Sequence, residues 1–371
     1  MRCVVDCRCV FRGCGGIGNY AASLVRAMAR VNSADEFILL RTASRPGDPL
    51  VQAANFREQH VPAAMLDAEW EQLHLPVLLE ELQPDLYHNP TFALPLLRPC
   101  RLVTTIHDVV FHYRPELVAP SLCQYLAHWS RLAAGLADRI ITVSEYSKQA
   151  IVEAYGTDPD RLSVVYEAAQ ADRFYPRYGG ILENEFRKRY RIDGPYVLYV
   201  GSLEPKKNID YLLQAFAQLP GADARVRLVL AGGGGGAAYD ISEALTAFGV
   251  ADRTVVTGFL PEQYLPVAYA AASLFVYPSL YEGFGLPPLE AMASGTPVIV
   301  ANATSLPEVV GDAGVLVDPT DPHDLARQMR LLLTDEGERR RRVAAGLRWV
   351  QQFSWQRAAL ETLAAYRQAL E

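Results

Sequence analysis

Short apolar runs alternate with amphipathic stretches along almost the whole chain. The runs predict strands at Arg2–Val5, Phe37–Leu40, Leu86–His88, Leu102–Ile106, Arg139–Val143 and Leu162–Val165. A second series follows at Tyr196–Val200, Arg227–Ala231, Thr254–Thr257, Leu274–Tyr277, Pro297–Val300 and Val315–Val317. Runs that are apolar at every position suit strands covered on both faces. Between them, Ile17, Tyr20, Ala21, Leu24, Val25, Met28 and Val31 recur at helical spacing, as do Ile209, Leu212, Leu213, Phe216 and Leu219. Strand and helix in alternation predict parallel sheets with crossover helices.

The alternation is interrupted once. Residues 172–195 are polar, hold Gly179-Gly180 and end at Gly194-Pro195 before a fresh strand begins. Six predicted strands lie on each side, which fits two doubly wound α/β domains better than one uninterrupted barrel. The expected division is 1–175 and 176–354. Trp355–Leu370 reads as a closing amphipathic helix with no strand after it. A length of 371 residues agrees with two domains.

Composition narrows the class. Half of the residues are hydrophobic, which argues against disorder, and no apolar run is long enough to span a bilayer. The charged start Met1-Arg2-Cys3-Val4-Val5-Asp6 lacks the apolar run of a signal peptide, so a cytoplasmic location is expected. The net charge of −7 argues against nucleic acid as a partner, although it does not forbid a local phosphate site. Of six cysteines, Cys3, Cys7, Cys9 and Cys14 crowd the start. Cys3 and Cys7 loosely fit a zinc pair, but no second pair follows, so reduced structural thiols are expected.

Three motifs carry candidate chemistry. Gly13-Cys14-Gly15-Gly16-Ile17-Gly18 matches G-x-G-x-x-G at the start of a helix. A dinucleotide reading, and with it an NAD(P)-dependent oxidoreductase, has two faults: Cys7–Arg12 separates strand from glycine, and the second strand runs into Arg41 rather than an acid. The loop either turns the chain or faces a phosphate or sugar. Gly201-Ser202-Leu203-Glu204-Pro205-Lys206-Lys207-Asn208 sets two lysines at the carboxyl end of a strand and before a helix, an anion site or a solvated loop. The most specific motif is Glu282-Gly283-Phe284-Gly285-Leu286-Pro287-Pro288-Leu289-Glu290. The backbone N–H groups of Phe284, Gly285 and Leu286 would point out of a helix start, flanked by two carboxylates able to accept from sugar hydroxyls. The bland alternative makes Glu282 a surface acid and Glu290 a helix-dipole partner. His107-Asp108, the Ser144 N-cap and Gly232–Gly236 are weaker features, and a lone histidine is more often structural.

Together these motifs resemble the family 4 glycosyltransferases, retaining enzymes of the GT-B fold. The resemblance runs in order through Gly15–Tyr20, Thr105–Asp108, Ile141–Ser147, Gly201–Asn208, Thr257-Gly258-Phe259, Glu282–Glu290 and Ser305–Val310. It looks nearest to bacterial mannosyltransferase-like members that build polysaccharides. It implies two Rossmann-like domains facing across a cleft, the first for the acceptor and the second for the nucleotide-sugar donor. The final helix, 355–371, would pack back on the first domain. Carried over by residue, Gly16 would approach the donor phosphates and His107 the sugar near its 6-position. Lys207 would neutralise the diphosphate, Glu282 would hold sugar hydroxyls, and Phe284, Gly285 and Leu286 would bind through backbone N–H. Glu290 would hold the ribose, and the base would lie near Gly258, Phe259 and Leu260. Ser202 stands where many members carry arginine, and Lys206 is expected to supply the second cation. The implied acceptor is a glycan or lipid-linked glycan, with peripheral association at the inner membrane face. No metal or cofactor is expected, because no D-x-D pair ends a strand. A non-catalytic sugar-nucleotide-binding relative is the remaining alternative.

Overall fold

The computed structural model describes residues 1–11, 14–43, 49–62, 67–176, 180–219, 225–233 and 239–371. Two compact units share the chain: Met1–Glu167 with Phe353–Glu371, and Ala168–Gln352.

The first unit holds strands β1 (Arg2–Asp6), β2 (Glu36–Thr42), β3 (Phe56–Val61), β4 (Leu86–Asn89), β5 (Arg101–Thr105), β6 (Arg139–Thr142) and β7 (Leu162–Val164). They form one parallel sheet in the order β3-β2-β1-β4-β5-β6-β7. The seventh strand, β3, escapes the apolar pattern. It is an edge strand whose sequence Phe-Arg-Glu-Gln-His-Val buries only its two ends. Helix Trp355–Leu370 packs against helix Gly16–Val31. Both bury small residues, Gly18, Ala21 and Ala22 on one and Ala358, Ala359 and Ala365 on the other. Cys3, Cys7 and Cys9 are buried free thiols, and burial pushes Cys3 and Cys9 up to about 12. Among the described residues, no three His, Cys, Asp or Glu side chains are grouped to hold a metal ion.

The second unit holds β8 (Tyr196–Val200), β9 (Arg227–Ala231), β10 (Thr254–Gly258), β11 (Leu274–Tyr277), β12 (Val298–Ala301) and β13 (Val315–Val317). Their parallel order is β10-β9-β8-β11-β12-β13. Part of the polar stretch 172–195 is a packed helix. Its helix Ile181–Tyr190 buries Phe186 beside Tyr196 and Tyr264, at ring-centroid distances of 6.3 and 6.2 Å, so it belongs to the second unit. The chain instead passes between units after Glu167, ahead of the expected 175, and returns before Phe353. Tyr166 and Phe353 stack edge to face at 5.6 Å where these passages begin and end.

The two sheets share a property that places the sites. In each, strand order reverses about one pair of neighbours, β1 with β4 and β8 with β11. Loops leaving the carboxyl ends of such neighbours diverge, and the gap between them is where ligands bind in open α/β sheets.

Candidate active site

In the second unit, the loop after β8 and the loop after β11 leave the sheet from neighbouring strands. This brings Lys207 and Glu282 together across 75 residues of sequence. Lys207 is buried, and its Nζ lies 2.5 Å from Glu282 Oε1 and 2.9 Å from the Tyr277 hydroxyl. Ser279 Oγ donates to the same Glu282 oxygen at 2.5 Å. Burial alone would raise the Glu282 carboxyl. The charges of Lys207 and then Lys206, with the Lys207 and Ser279 hydrogen bonds, outweigh burial and hold it below its ordinary value. Tyr277 is pushed the other way, first by burial and then by Glu282. An ammonium has three donors, and the described residues occupy two here.

Backbone geometry locks this arrangement. Glu282 N–H donates to Thr304 Oγ1 at 3.0 Å, and Ser305 Oγ lies within hydrogen-bond distance of the carbonyls of Glu282 and Phe284, at 3.0 and 2.7 Å, with one hydrogen to give. Leu280 N–H donates to the Lys206 carbonyl at 2.8 Å, and Ser279 Oγ lies 3.1 Å from the same oxygen. The Lys206 ammonium has no carboxylate within ion-pair distance among the described residues, and it is more exposed than Lys207. Ser202 Oγ is engaged locally with Glu204 at 2.8 Å. Gly201 and Gly232 leave β8 and β9 back to back. A Cβ on Gly232 would lie 1.8 Å from the Gly201 carbonyl oxygen, so neither strand end could approach with a side chain between them.

Helix Leu286–Ala293 starts at Gly285, whose φ of 126° only glycine adopts without strain. Pro287 and Pro288 in its first turn have no N–H to leave unsatisfied. Among the described residues, the N–H groups of Gly285 and Leu286 meet no protein acceptor. Phe284 is buried. Glu290 sits one turn into the helix, where the Tyr269 hydroxyl donates to its Oε2 at 2.9 Å. Gly258 ends β10 with a φ of 65°, and its carbonyl accepts from Gly232 N–H at 2.9 Å. The next residue, Phe259, is 70% exposed, whereas Leu260 is buried.

The first unit has its own candidates. Gly13 lies outside the described residues, so the full glycine motif is not described. Gly16 is exposed at the start of its helix, with nothing near the position of a Cβ. The N–H groups of Gly16, Ile17 and Gly18 meet no protein acceptor among the described residues. Gly18 has a packing role instead. Its Cβ would meet Cys14 Cβ at 2.5 Å and the Cys9 carbonyl at 2.6 Å. His107 follows β5. Its Nε2 lies 3.0 Å from the Pro90 carbonyl, its Nδ1 lies 3.4 Å from Glu167 Oε1, and the Tyr20 ring meets it edge to face at 4.7 Å. Ser144 caps the helix Glu145–Tyr155 through Ser147 N–H, at 3.0 Å. Of Gly232–Gly236, residues 234–236 lie outside the described residues.

Comparison with known proteins places this arrangement. Residues 14–173 match the family model described as Glycosyltransferase Family 4, and residues 183–349 match Glycosyl transferases group 1. The chain is 34% identical to the O-antigen chain mannosyltransferase B of Escherichia coli over 369 residues, which is 95% of this chain and 96% of that one. The chain belongs to glycosyltransferase family 4. This glycosyltransferase is also 32% identical over 277 residues, 70% of its length, to the serotype-specific mannosyltransferase WbdA of Escherichia coli, of which it spans 32%. Among solved structures it resembles a sucrose-phosphate synthase from Thermosynechococcus elongatus, with a TM-score of 0.77 and 23% identity over 99% of this chain and 98% of that one. WaaG, a glycosyltransferase involved in lipopolysaccharide biosynthesis, gives a TM-score of 0.75 at 18% identity over 98% of each chain. The fold is GT-B. The oxidoreductase alternative falls with this membership.

Several residues of the glycosyltransferase's site escape sequence reading. Tyr277, Ser279, Thr304 and Ser305 brace Glu282, and Tyr269 braces Glu290. Each is a single polar residue in an apolar or loop segment, with no periodic signature. In the first unit Glu167, three residues beyond the end of β7, lies beside His107 and was likewise not singled out by the sequence.

Proposed function

We propose that this glycosyltransferase moves a mannosyl group, with retention at the anomeric carbon, from GDP-mannose to a glycan or lipid-linked glycan during O-antigen-type polysaccharide synthesis. The observation that carries the reading is the near-full-length identity to an O-antigen chain mannosyltransferase. The buried Lys207–Glu282 pair supports it chemically.

As the glycosidic bond breaks, negative charge develops on the leaving diphosphate. Fixed positive groups already aimed at that oxygen lower the barrier without reorganising. Lys207 supplies its remaining N–H, Lys206 adds a second cation, and the N–H groups of Gly285 and Leu286 add dipoles. Glu282 Oε1 is consumed by Lys207 and Ser279, and Oε2 has no protein donor among the described residues, so Oε2 is the oxygen for sugar hydroxyls. Phe284 adds its backbone N–H to the donor contacts, and Ser202 lies on the loop that approaches the phosphates. Glu290, oriented by Tyr269, holds the ribose. The exposed Phe259 ring, between Gly258 and Leu260, offers a stacking face for the base. Gly16 and His107 keep the roles that the family resemblance implies, at the donor phosphates and near the 6-position of the sugar. In this reading no metal takes part.

The enzyme acts in the cytoplasm, associated peripherally with the inner membrane face. No described helix is long and apolar enough to cross a membrane.

A panel of nucleotide sugars tests the donor. GDP-mannose should raise the melting temperature by mass action and support transfer to a mannose-containing acceptor. A shift given only by another nucleotide sugar would replace the donor assignment. Binding without transfer or hydrolysis would favour the non-catalytic alternative.

A further inference from the structure

Glu71 Oε2 and the Tyr125 hydroxyl, both in the first unit, are buried and meet no hydrogen-bond partner among the described residues. Glu71 lies on helix Ala68–Leu73 and is 1% exposed. Tyr125 lies on helix Pro120–Leu136, and its ring is half-buried. Folded proteins rarely leave such groups unsatisfied, and each one needs a reason. A buried tyrosine hydroxyl in particular usually finds a partner.

The rest of the Glu71 carboxylate is firmly held. Its Oε1 accepts from Arg8 Nη2 at 2.9 Å. Arg8 also donates to both Asp6 oxygens, with Nη2 2.7 Å from Oδ2, and its guanidinium lies over the Trp70 ring, 4.4 Å from the centroid. The Tyr87 hydroxyl donates to Asp6 Oδ2 at 2.8 Å. Asp6 ends β1 and Tyr87 lies on the neighbouring β4, so the cluster sits at the pair of strands about which the order of the first sheet reverses. Burial raises the Glu71 carboxyl to about 7 against the pull of Arg8. Burial first, and then the Glu71 charge, raise the Tyr125 hydroxyl, so the two unpartnered groups lie within electrostatic reach of each other.

The chemistry of the cluster selects its ligand. Arg8 is committed to two carboxylates, which leaves no surplus positive charge for a phosphate. A neutral hydroxyl satisfies both groups, since it donates to a carboxylate oxygen and accepts from a phenol. Half-buried rings flank the site: Phe92 and Trp129 lie 6.4 and 6.2 Å from the Tyr125 ring. Aromatic walls with a few placed polar groups are the usual lining of a small-molecule site, and they suit the apolar C–H face of a sugar.

We propose that Glu71 Oε2 and the Tyr125 hydroxyl hold one hydroxyl group of the acceptor glycan, with the rings of Tyr125 and Trp129 against the same sugar. This inference rests on the reading of the protein as a glycosyltransferase with a glycan acceptor.

The experiment measures donor and acceptor KM separately, with GDP-mannose and an α-linked mannose disaccharide, in wild type, Tyr125→Phe, Glu71→Gln and the double variant. Melting temperatures are taken alongside. Tyr125→Phe removes only the hydroxyl and should raise the acceptor KM about five- to tenfold. The donor KM should stay at the wild-type value. The melting temperature should be equal or higher, because the hydroxyl has no partner in the fold. Glu71→Gln should raise the acceptor KM likewise, and in the double variant the two effects should not multiply, since both side chains serve one hydroxyl. If an ordered water joins the two groups instead, Tyr125→Phe will lower the melting temperature and keep the wild-type acceptor KM, and the proposal is wrong. A rise confined to the donor KM overturns it equally. If Glu71→Gln does not fold, Tyr125→Phe decides alone. If wild type transfers no sugar to the disaccharide from any nucleotide sugar, the functional reading itself has failed, and this inference with it.

Discussion

Lys207 Nζ lies 2.5 Å from Glu282 Oε1, with both side chains almost withdrawn from water. The pair joins the loops that follow β8 and β11, so the cation and the carboxylate fix each other. Replacing Lys207 by alanine should reduce turnover by about 100- to 1,000-fold, the usual loss for a preorganised charge-stabilising donor. It should also cost about 3–5 kcal/mol of stability, because Glu282 is left buried without its cation. Lys207→Met with Glu282→Gln should recover much of the stability and none of the activity. Recovery of transfer in that double variant would remove Lys207 from the chemistry.

Phe259 is expected to act on binding and not on bond cleavage. An aromatic platform for a base contributes about 1–3 kcal/mol per stacked base. Phe259→Ala should therefore raise the donor KM about 10-fold or more and leave kcat near wild type. Steady-state kinetics separate the two quantities. An unchanged KM would place the base elsewhere.

The glycine pair at the ends of β8 and β9 is a steric requirement. Gly232 has a φ of 155°, and a Cβ there would overlap the Gly201 carbonyl. Gly232→Ala should destabilise the protein by about 3 kcal/mol through backbone strain and clash. Donor affinity should fall with it. Gly16→Ala meets open space, so its melting temperature should stay near wild type. Calorimetry on the two variants gives the contrast.

His88 gives stability a pH dependence with a definite sign. Burial first, then the nearby His107, lower it from 6.5 to about 3. The unfolded chain therefore binds a proton below 6.5 that the folded protein refuses until about 3. The stabilisation is complete above 6.5 and is lost as pH falls toward 3, at up to about 1.4 kcal/mol per pH unit. Urea titrations across that range should show a shallower slope for His88→Gln. An equal slope in both proteins would assign the acid sensitivity to other groups.

The strands, the two-sheet division and the Glu282–Glu290 element were legible because each has a local signature: an apolar run, an interruption, a fixed spacing. β3 was not, because an edge strand needs only its ends buried. The loop lysines read as solvent-exposed in isolation, and only the adjacency of β8 and β11 shows that one of them is buried. His107 has the same history. Its partner Glu167 lies 60 residues away, and no local pattern ties the two together. Side chains that brace a site across strands are chosen by sheet order, which single residues do not announce.

The first unit is discontinuous in sequence, whereas the second is not. On the ribosome, β1 to β7 emerge early but lack the helix Trp355–Leu370 that covers Gly16–Val31 and supplies Tyr366 to His88. The second unit can finish while the first waits with an uncovered helix face. Order of synthesis and order of completion are thus reversed, and the early-made half is the one that needs protection from aggregation until the last residues arrive.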